Sequence, residues 1–290
     1  MTYIAKAAAK INLAIDVLSK RPDGFHEVAM IMQTVALYDT ISLRPTPNGE
    51  IEIMSDSKYI PTDKNNIVYK AAEYLKLKYN VKKGALIEIQ KMIPIAAGLA
   101  GGSADAAATI KLLNRAWDLK LSKNQMLEAG KKIGSDVPFC IQGGTALAEG
   151  LGERLTPLKS MPECFILLAK PPVSISTKEV YEGIDFADIK ERPDIKEMIS
   201  GINEGNIIKI SNKLCNVLEN VTIKKCPIID ELKTKLIEFG AIGSMMSGSG
   251  PTVFGIFKDQ VTAYNAYEHI KTMVHEIFVV KTESKTWDNI

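Results

Sequence analysis

The stretch "IPIAAGLAGGSADAA", Ile93 to Ala107, decides how this chain is read. It sets Gly98, Gly101 and Gly102 among alanines, offers one hydroxyl at Ser103, carries no charge before Asp105, and leads into a run with helical spacing. A helix start leaves peptide N–H groups unpaired and carries about half a positive charge, so a glycine-rich entry into a helix suits an anion, phosphate above all. Neither familiar version of such a loop is present: no G-x-x-x-x-G-K-[ST] occurs, and no G-x-G-x-x-G follows a strand. Taken alone, the glycines would serve close packing of a helix on a sheet equally well. The loop also lacks a lysine, so a bound phosphate would need its charge balanced from elsewhere.

Outward from this loop the chain alternates strands and helices. Upstream, "KINLAIDVL" alternates apolar Ile11, Leu13, Ile15 and Val17 with Lys10, Asn12, Ala14 and Asp16. That is the period of a half-buried strand, and it puts Lys10, Asn12 and Asp16 on one face. "DTISLRP", "GEIEIMS" and "ALIEIQK" read as further strands, and "NIVYKAAEYLKLKY" as a helix. The helix after Ser103 is largely apolar, with Lys111, Asn114, Arg115 and Asp118 as its polar stripe. Ser122 and Gln125 are spaced as a capping box for the next helix, Gly134 as its stop, and Asp136 follows in a loop.

Glycine and proline accumulate in "GLGERLTPLKSMPE", which places a domain boundary near Thr156 to Leu158, dividing 1–157 from 158–290. Beyond it come the strand "CFILLAK", helices from about Lys178 to Phe239, two strands flanking "SGSGPT", a helix near Ala263 to Val274 and the strand "EIFVVK". This order predicts an α+β chain whose second part is a helix-covered antiparallel sheet.

Composition excludes several classes. With 46% hydrophobic and 24% charged residues over 290, the chain can bury a sizeable core. A formal net charge of +2 without a basic run argues against a nucleic-acid partner, and no apolar run is long enough for a membrane span. Cys140, Cys164, Cys215 and Cys226 show no C-x-x-C spacing, and only three histidines are present. Neither a zinc site nor a disulfide framework is indicated, and the expected compartment is the cytoplasm.

Two long segments in the right order now carry a resemblance. "IPIAAGLAGGSADAA" resembles the nucleotide loop of the GHMP kinases, and "GSMMSGSGPTVFG", Gly243 to Gly255, resembles their third, glycine-rich motif. The resemblance implies a two-domain fold. Its amino-terminal domain is mixed α/β with the phosphate loop, and its carboxy-terminal domain is a helix-covered, ferredoxin-like antiparallel sheet. It implies ATP as co-substrate with Mg²⁺, and assigns ATP to Pro94, Ile95, Ala96, Ala97, Gly98, Leu99, Ala100, Gly101, Gly102, Ser103 and Ala104, with Asn66 and Lys91 near the adenosine. Ala104 stands where the family pattern leads one to expect a second small hydroxyl residue, which leaves the metal ligands unassigned.

"AKINLAIDVLSKRPDGFHEV", "KKIGSDVPFCIQGGTALAEGLGE" and "LLAKPPVSISTKEVYEGID" are similar to one branch of that family, whose acceptor is a cytidine diphosphate-linked polyol on a route to isoprenoid precursors. On this resemblance Asp136 is the general base for the acceptor hydroxyl, and Lys10 is the cation that offsets charge at Asp136 and on the attacked phosphate. Asn12, Phe25, His26 and Tyr181 fall to the acceptor, the aromatic rings suiting a cytosine that needs stacking walls and a hydrogen-bonding rim. Read by residue type only, Asp136 is more simply a turn or cap residue, Lys10 a solvated strand cation, Asn66 a helix cap, Lys91 a solvated charge at a strand end, and the rings ordinary packing. Competing readings are a GHMP kinase acting on mevalonate-type, sugar or homoserine alcohols, and a nucleotide-binding regulator without turnover. Both partners of the expected reaction are small molecules, and the expected assembly is a monomer or weak homodimer.

Overall fold

A computed structural model describes residues 1–284. The chain opens with two long strands, β1 (Tyr3–Lys20) and β2 (His26–Thr46), paired as a hairpin from Tyr3 opposite Leu43 to Lys20 opposite His26. Then come β3 (Ile51–Ser55), α1 (Ile67–Lys78), β4 (Gly84–Gln90), α2 (Gly101–Ala116), α3 (Lys123–Ile133), α4 (Val137–Gln142), β5 (Thr145–Gly150) and β6 (Arg154–Pro157). The second half holds β7 (Phe165–Lys170), α5 (Thr177–Glu182), α6 (Ile195–Glu204), α7 (Ile207–Ser211), β8 (Cys215–Asn216), α8 (Glu219–Lys225), α9 (Ile228–Glu238), β9 (Gly243–Met246), β10 (Val253–Phe257), α10 (Gln260–Ile270) and β11 (Glu276–Lys281).

These strands form two sheets, so the α+β expectation holds. The seven-stranded sheet runs β3-β4-β2-β1-β8, with β5 also on β2 and β6 on β5. The four-stranded sheet runs β11-β7-β10-β9, antiparallel throughout. β6 ends at Pro157, and the next strand, β7, belongs to the second sheet. β8, although far along the chain, returns to pair parallel with Ala14 and Ile15 of β1.

α2 is the centre of the first core. Ala104, Ala106, Ala107, Ala108, Ile110, Leu112 and Leu113 are all buried, and small side chains let this helix sit close against the hairpin. Its polar stripe is shorter than the sequence spacing predicts: the helix stops at Ala116, Asp118 lies beyond it at φ 52°, and Lys111 is buried. α3 carries the expected capping box, with Ser122 accepting from the Gln125 N–H and Gln125 accepting from the Ser122 N–H, and it ends at Gly134. α10 begins earlier than the apolar spacing suggests, because Asp259 caps it by accepting from the Thr262 N–H. Among the described residues no helix is long and apolar enough to cross a membrane.

Candidate active site

A cleft of about 1140 Å³ brings the glycine-rich loop, β1, the β1–β2 turn, α5 and the β9–β10 loop to one wall-to-wall site. That volume exceeds what one small ligand needs and suits two.

The loop forms one end. Ala96, Gly98 and Ala100 have φ of 51°, 74° and 57°, so the backbone curls repeatedly through the left-handed region before α2 begins. Two of these residues are alanines, for which that conformation costs roughly 1–2 kcal/mol each. Strain of this kind persists where surrounding structure imposes it, commonly at ligand-gripping loops. Ala100 is the N-cap of α2 and no side chain caps the helix, so the first-turn amides remain for a ligand. The motif at Gly243 to Gly255 buttresses the loop: the Ser247 hydroxyl donates to the Gly98 carbonyl oxygen at 3.0 Å. A Cβ on Gly98 would collide with the Ser247 carbonyl, which is why glycine stands there.

Lys10 reaches the site from β1. Its backbone N–H donates to the Leu99 carbonyl at 3.1 Å, which ties the strand to the loop. Its ammonium donates to Asn12 Oδ1 at 2.6 Å and lies 3.7 Å from Asp136 Oδ2. Asp136 occupies the N-cap position of α4 but makes no capping hydrogen bond, so its carboxylate is turned into the cleft, with the side chain 27% exposed. Lys10, Asn12 and Asp136 are thus brought together, and the missing lysine of the loop is supplied by a neighbouring strand.

Asp16 departs from the face that alternation predicts for it. β1 shifts register between Asn12 and Ala14, Ile15 takes the next place on the cleft wall, and Asp16 pairs with Arg192. Ala104 also corrects a reading: its methyl is buried in the core and does not line the cleft, so a hydroxyl at that position would face inward. The Leu99 side chain is buried likewise and does not line the cleft; the Leu99 carbonyl accepts from the Lys10 N–H, and the Ala104 N–H donates to the Ala100 carbonyl within the first turn of α2. Pro94, Ile95, Ala97, Gly101, Gly102 and Ser103 line it.

Asn66 and Lys91 line the cleft, yet their polar groups are already engaged. Asn66 caps α1, accepting from the Val68 N–H at 2.8 Å and donating to the Pro61 carbonyl at 2.6 Å. Lys91 is buried between Asp39 and Asp105, donating to Asp105 Oδ2 at 2.7 Å and to Asp39. Burial would lower the Lys91 pKa, but the two carboxylates more than offset it and the ammonium is held charged. Burial pushes the Asp105 carboxyl up to about 8, Lys91 opposing the shift and Asp39 adding to it. Sequence reasoning missed this cluster because Asp39 comes from β2, with no local signal linking it to Lys91.

The opposite end is aromatic. His26 and Tyr181 sit with ring centroids 5.5 Å apart, and Phe25, 62% exposed, stands at the mouth. Burial, with the nearby Lys20 charge, lowers the His26 pKa, so the neutral imidazole presents one donor and one acceptor. Burial also raises the Tyr181 pKa, keeping the phenol neutral. Thr177 and Ser249, also unpredicted, line the floor and share a hydrogen bond of 2.8 Å that joins α5 to the β9–β10 loop.

An uncapped helix start suited to an anion, with a lysine and a carboxylate converging beside it, defines a small-molecule phosphotransferase site, and this chain belongs to the GHMP kinases. The description "GHMP kinases N terminal domain" matches residues 66–144 and "GHMP kinases C terminal" matches residues 198–276. Within the family, the chain is 51% identical over 277 residues to the 4-diphosphocytidyl-2-C-methyl-D-erythritol kinase of Caldicellulosiruptor bescii, covering 96% of this chain and 97% of the relative. It is 50% identical over 278 residues to the enzyme of that name from Alkaliphilus oremlandii, covering 96% and 95%. A crystal structure of 4-(cytidine 5'-diphospho)-2C-methyl-D-erythritol kinase superposes with a TM-score of 0.83 at 26% identity, covering 98% of this chain and all of the other. A homoserine kinase from Cytophaga hutchinsonii, at TM-score 0.80 and 18% identity over 98% and 96% of the two chains, shares the fold.

Proposed function

We propose that this chain transfers the γ-phosphoryl group of ATP to the 2-hydroxyl of 4-(cytidine 5'-diphospho)-2-C-methyl-D-erythritol, a step toward isoprenoid precursors, in the cytoplasm. The observation that carries the reading is the Lys10–Asp136 pair, set between a phosphate-suited helix start and an aromatic pocket. In this reading the acceptor oxygen attacks the γ-phosphorus, the bond to the β,γ-bridging oxygen breaks, ADP leaves, and the hydroxyl proton passes to the Asp136 carboxylate. The Lys10 ammonium, fixed by Asn12, neutralises charge on the transferring group. The loop from Pro94 to Ala104 holds the ATP phosphates, the amides of Gly101, Gly102 and Ser103 at the uncapped start of α2 pointing at them, while Asn66 and Lys91 border the adenosine. Lys91, already engaged by two carboxylates, does so as part of a rigid wall. Asn12 also borders the acceptor hydroxyl.

His26, Tyr181 and Phe25 receive the cytosine: stacking on aromatic faces supplies affinity, and the neutral His26 supplies a donor and an acceptor for the base edge. The lobes 1–157 and 158–290 would contribute the loop and the strap of α5 to opposite sides of the cleft.

Magnesium enters this reading with the nucleotide. Among the described residues no three His, Cys, Asp or Glu side chains cluster as a metal cage, which fits a cation that keeps its waters and phosphate oxygens. Ser103, in the first turn of α2 and on the cleft wall, is the hydroxyl that would complete its shell. Bound there, the ion would neutralise charge on the β- and γ-phosphates.

The test is ADP release with the cytidine diphosphate-linked acceptor, mevalonate and homoserine offered separately. Turnover confined to the first supports the proposal. Turnover with either of the others, or ATP binding without transfer to any, contradicts it.

A further inference from the structure

The chain between β7 and α6 crosses the acceptor end of the cleft as a strap, and from residue 172 to 194 only Val180 is fully buried, while Ile175, Tyr181, Ile184 and Ile189 pack half-buried against the core. Tyr181 follows Val180, so the strap carries one ring of the aromatic pair while the other, His26, stands at the start of β2. A wall built by two separate elements keeps its spacing only if something fixes one to the other. Thr177 anchors the near end of the strap to Ser249. At the far end the Arg192 guanidinium donates to Asp16 Oδ1 at 2.5 Å and to the Val17 carbonyl at 3.1 Å.

This second anchor differs from the strap's other ion pairs. Lys224–Asp188 and Lys225–Glu179 are solvent-exposed on both partners, and such pairs contribute little. The Asp16 side chain is only 10% exposed and the Arg192 guanidinium bonds it directly, so removing the guanidinium would leave that carboxylate shielded from water without its partner. Val17 adjoins a register shift in β1, and Arg192 occupies a carbonyl there. Asp16 lies on the strand that carries Lys10 and Asn12, on the side toward the turn bearing Phe25 and His26.

We infer that Arg192, through Asp16, is a positioning residue that sets Tyr181 against His26 and thereby the enzyme's affinity for its base-bearing acceptor. This rests on the proposed cytosine pocket. Arg192 does not line the cleft, so its loss loosens one wall without disturbing the phosphate loop or the Lys10–Asp136 pair.

The experiment is steady-state kinetics of Arg192→Ala, Arg192→Lys, Asp16→Asn/Arg192→Gln and Tyr181→Ala, with thermal melts for each. Arg192→Ala should raise the acceptor KM about 5- to 30-fold, with kcat and the ATP KM within about twofold of wild type. Arg192→Lys should recover part of that rise. The double variant leaves no buried charge unpaired, so it should fold even if Arg192→Ala does not, and should still show the raised acceptor KM. If Tyr181→Ala raises the acceptor KM but the double variant and Arg192→Ala do not, the inference is overturned and the pocket reading stands. If Tyr181→Ala leaves the acceptor KM unchanged, both fall. A rise of both KM values in step with a lowered Tm also overturns it, since that is the signature of general loosening.

Discussion

The ammonium of Lys10 and the carboxylate of Asp136 stand 3.7 Å apart, one on β1 and the other at the head of α4, and Asn12 holds the ammonium in place at 2.6 Å. At that separation a proton acceptor and a positive charge can serve the same reacting oxygen. The proposal therefore gives them separable duties.

Lys10→Ala removes charge neutralisation while leaving the loop amides in place. We expect kcat to fall about 10²- to 10⁴-fold with nucleotide affinity changed far less. Equilibrium binding of a non-hydrolysable ATP analogue beside steady-state turnover checks this. Loss of binding equal to the loss of turnover would assign Lys10 to the ground state.

Gly98 and Ala100 should respond unequally to the gain and the loss of a single methyl group. Gly98→Ala puts a Cβ at φ 74° into the Ser247 carbonyl, and we expect a loss of about 2–4 kcal/mol together with a drop of at least tenfold in ATP affinity. Ala100→Gly relieves a left-handed alanine but frees the unfolded chain, so its stability should stay within about 1 kcal/mol of wild type. Denaturant melts and nucleotide titrations read both.

The neutral state of His26 predicts a pH dependence confined to one substrate. Its pKa lies below the ordinary value because burial and Lys20 disfavour the charged ring, so protonation sets in only as pH falls below about 6.5. Protonation replaces the acceptor nitrogen with a second donor. The acceptor KM should therefore be flat above about pH 6.5 and rise below it. His26→Gln, which keeps one donor and one acceptor, should lose that slope, and the ATP KM should not follow it.

Asp105 predicts a stability profile. Its folded pKa of about 8 exceeds the unfolded value near 4, so the folded state binds more protons between the two. Stability should therefore fall as pH rises from about 4 to about 8, because a buried carboxyl is being ionised beside Asp39 with only Lys91 to share. Asp105→Asn should match wild type near the acid end of that window and exceed its Tm above pH 8. Thermal melts across pH check the slope, and an unchanged slope in the variant would remove Asp105 as its source.

Local patterns carried much of the fold into view. The alternation of Ile11, Leu13, Ile15 and Val17 marks β1, the Ser122–Gln125 spacing marks the start of α3, and the glycines before Ser103 mark the entry to α2. What the sequence hides is non-local. A register shift near Leu13 turns Asp16 toward Arg192 and brings Ile15 to the cleft, and nothing in the alternating pattern announces it. Lys91 reads as an exposed strand-end cation until β2 delivers Asp39 beside it. Thr177 and Ser249 are ordinary loop residues until the second sheet and α5 meet. The meeting of Lys10 and Asp136 was implied by resemblance, and the distance between them is a property of the folded chain.

Asp136→Asn tests the central claim most directly, because it preserves shape while removing the proton acceptor. Both substrates should bind as in wild type, and ³¹P NMR should show formation of the acceptor's new phosphomonoester slowed about 10²- to 10⁴-fold. Formation at the wild-type rate would contradict the account, whatever else the cleft binds.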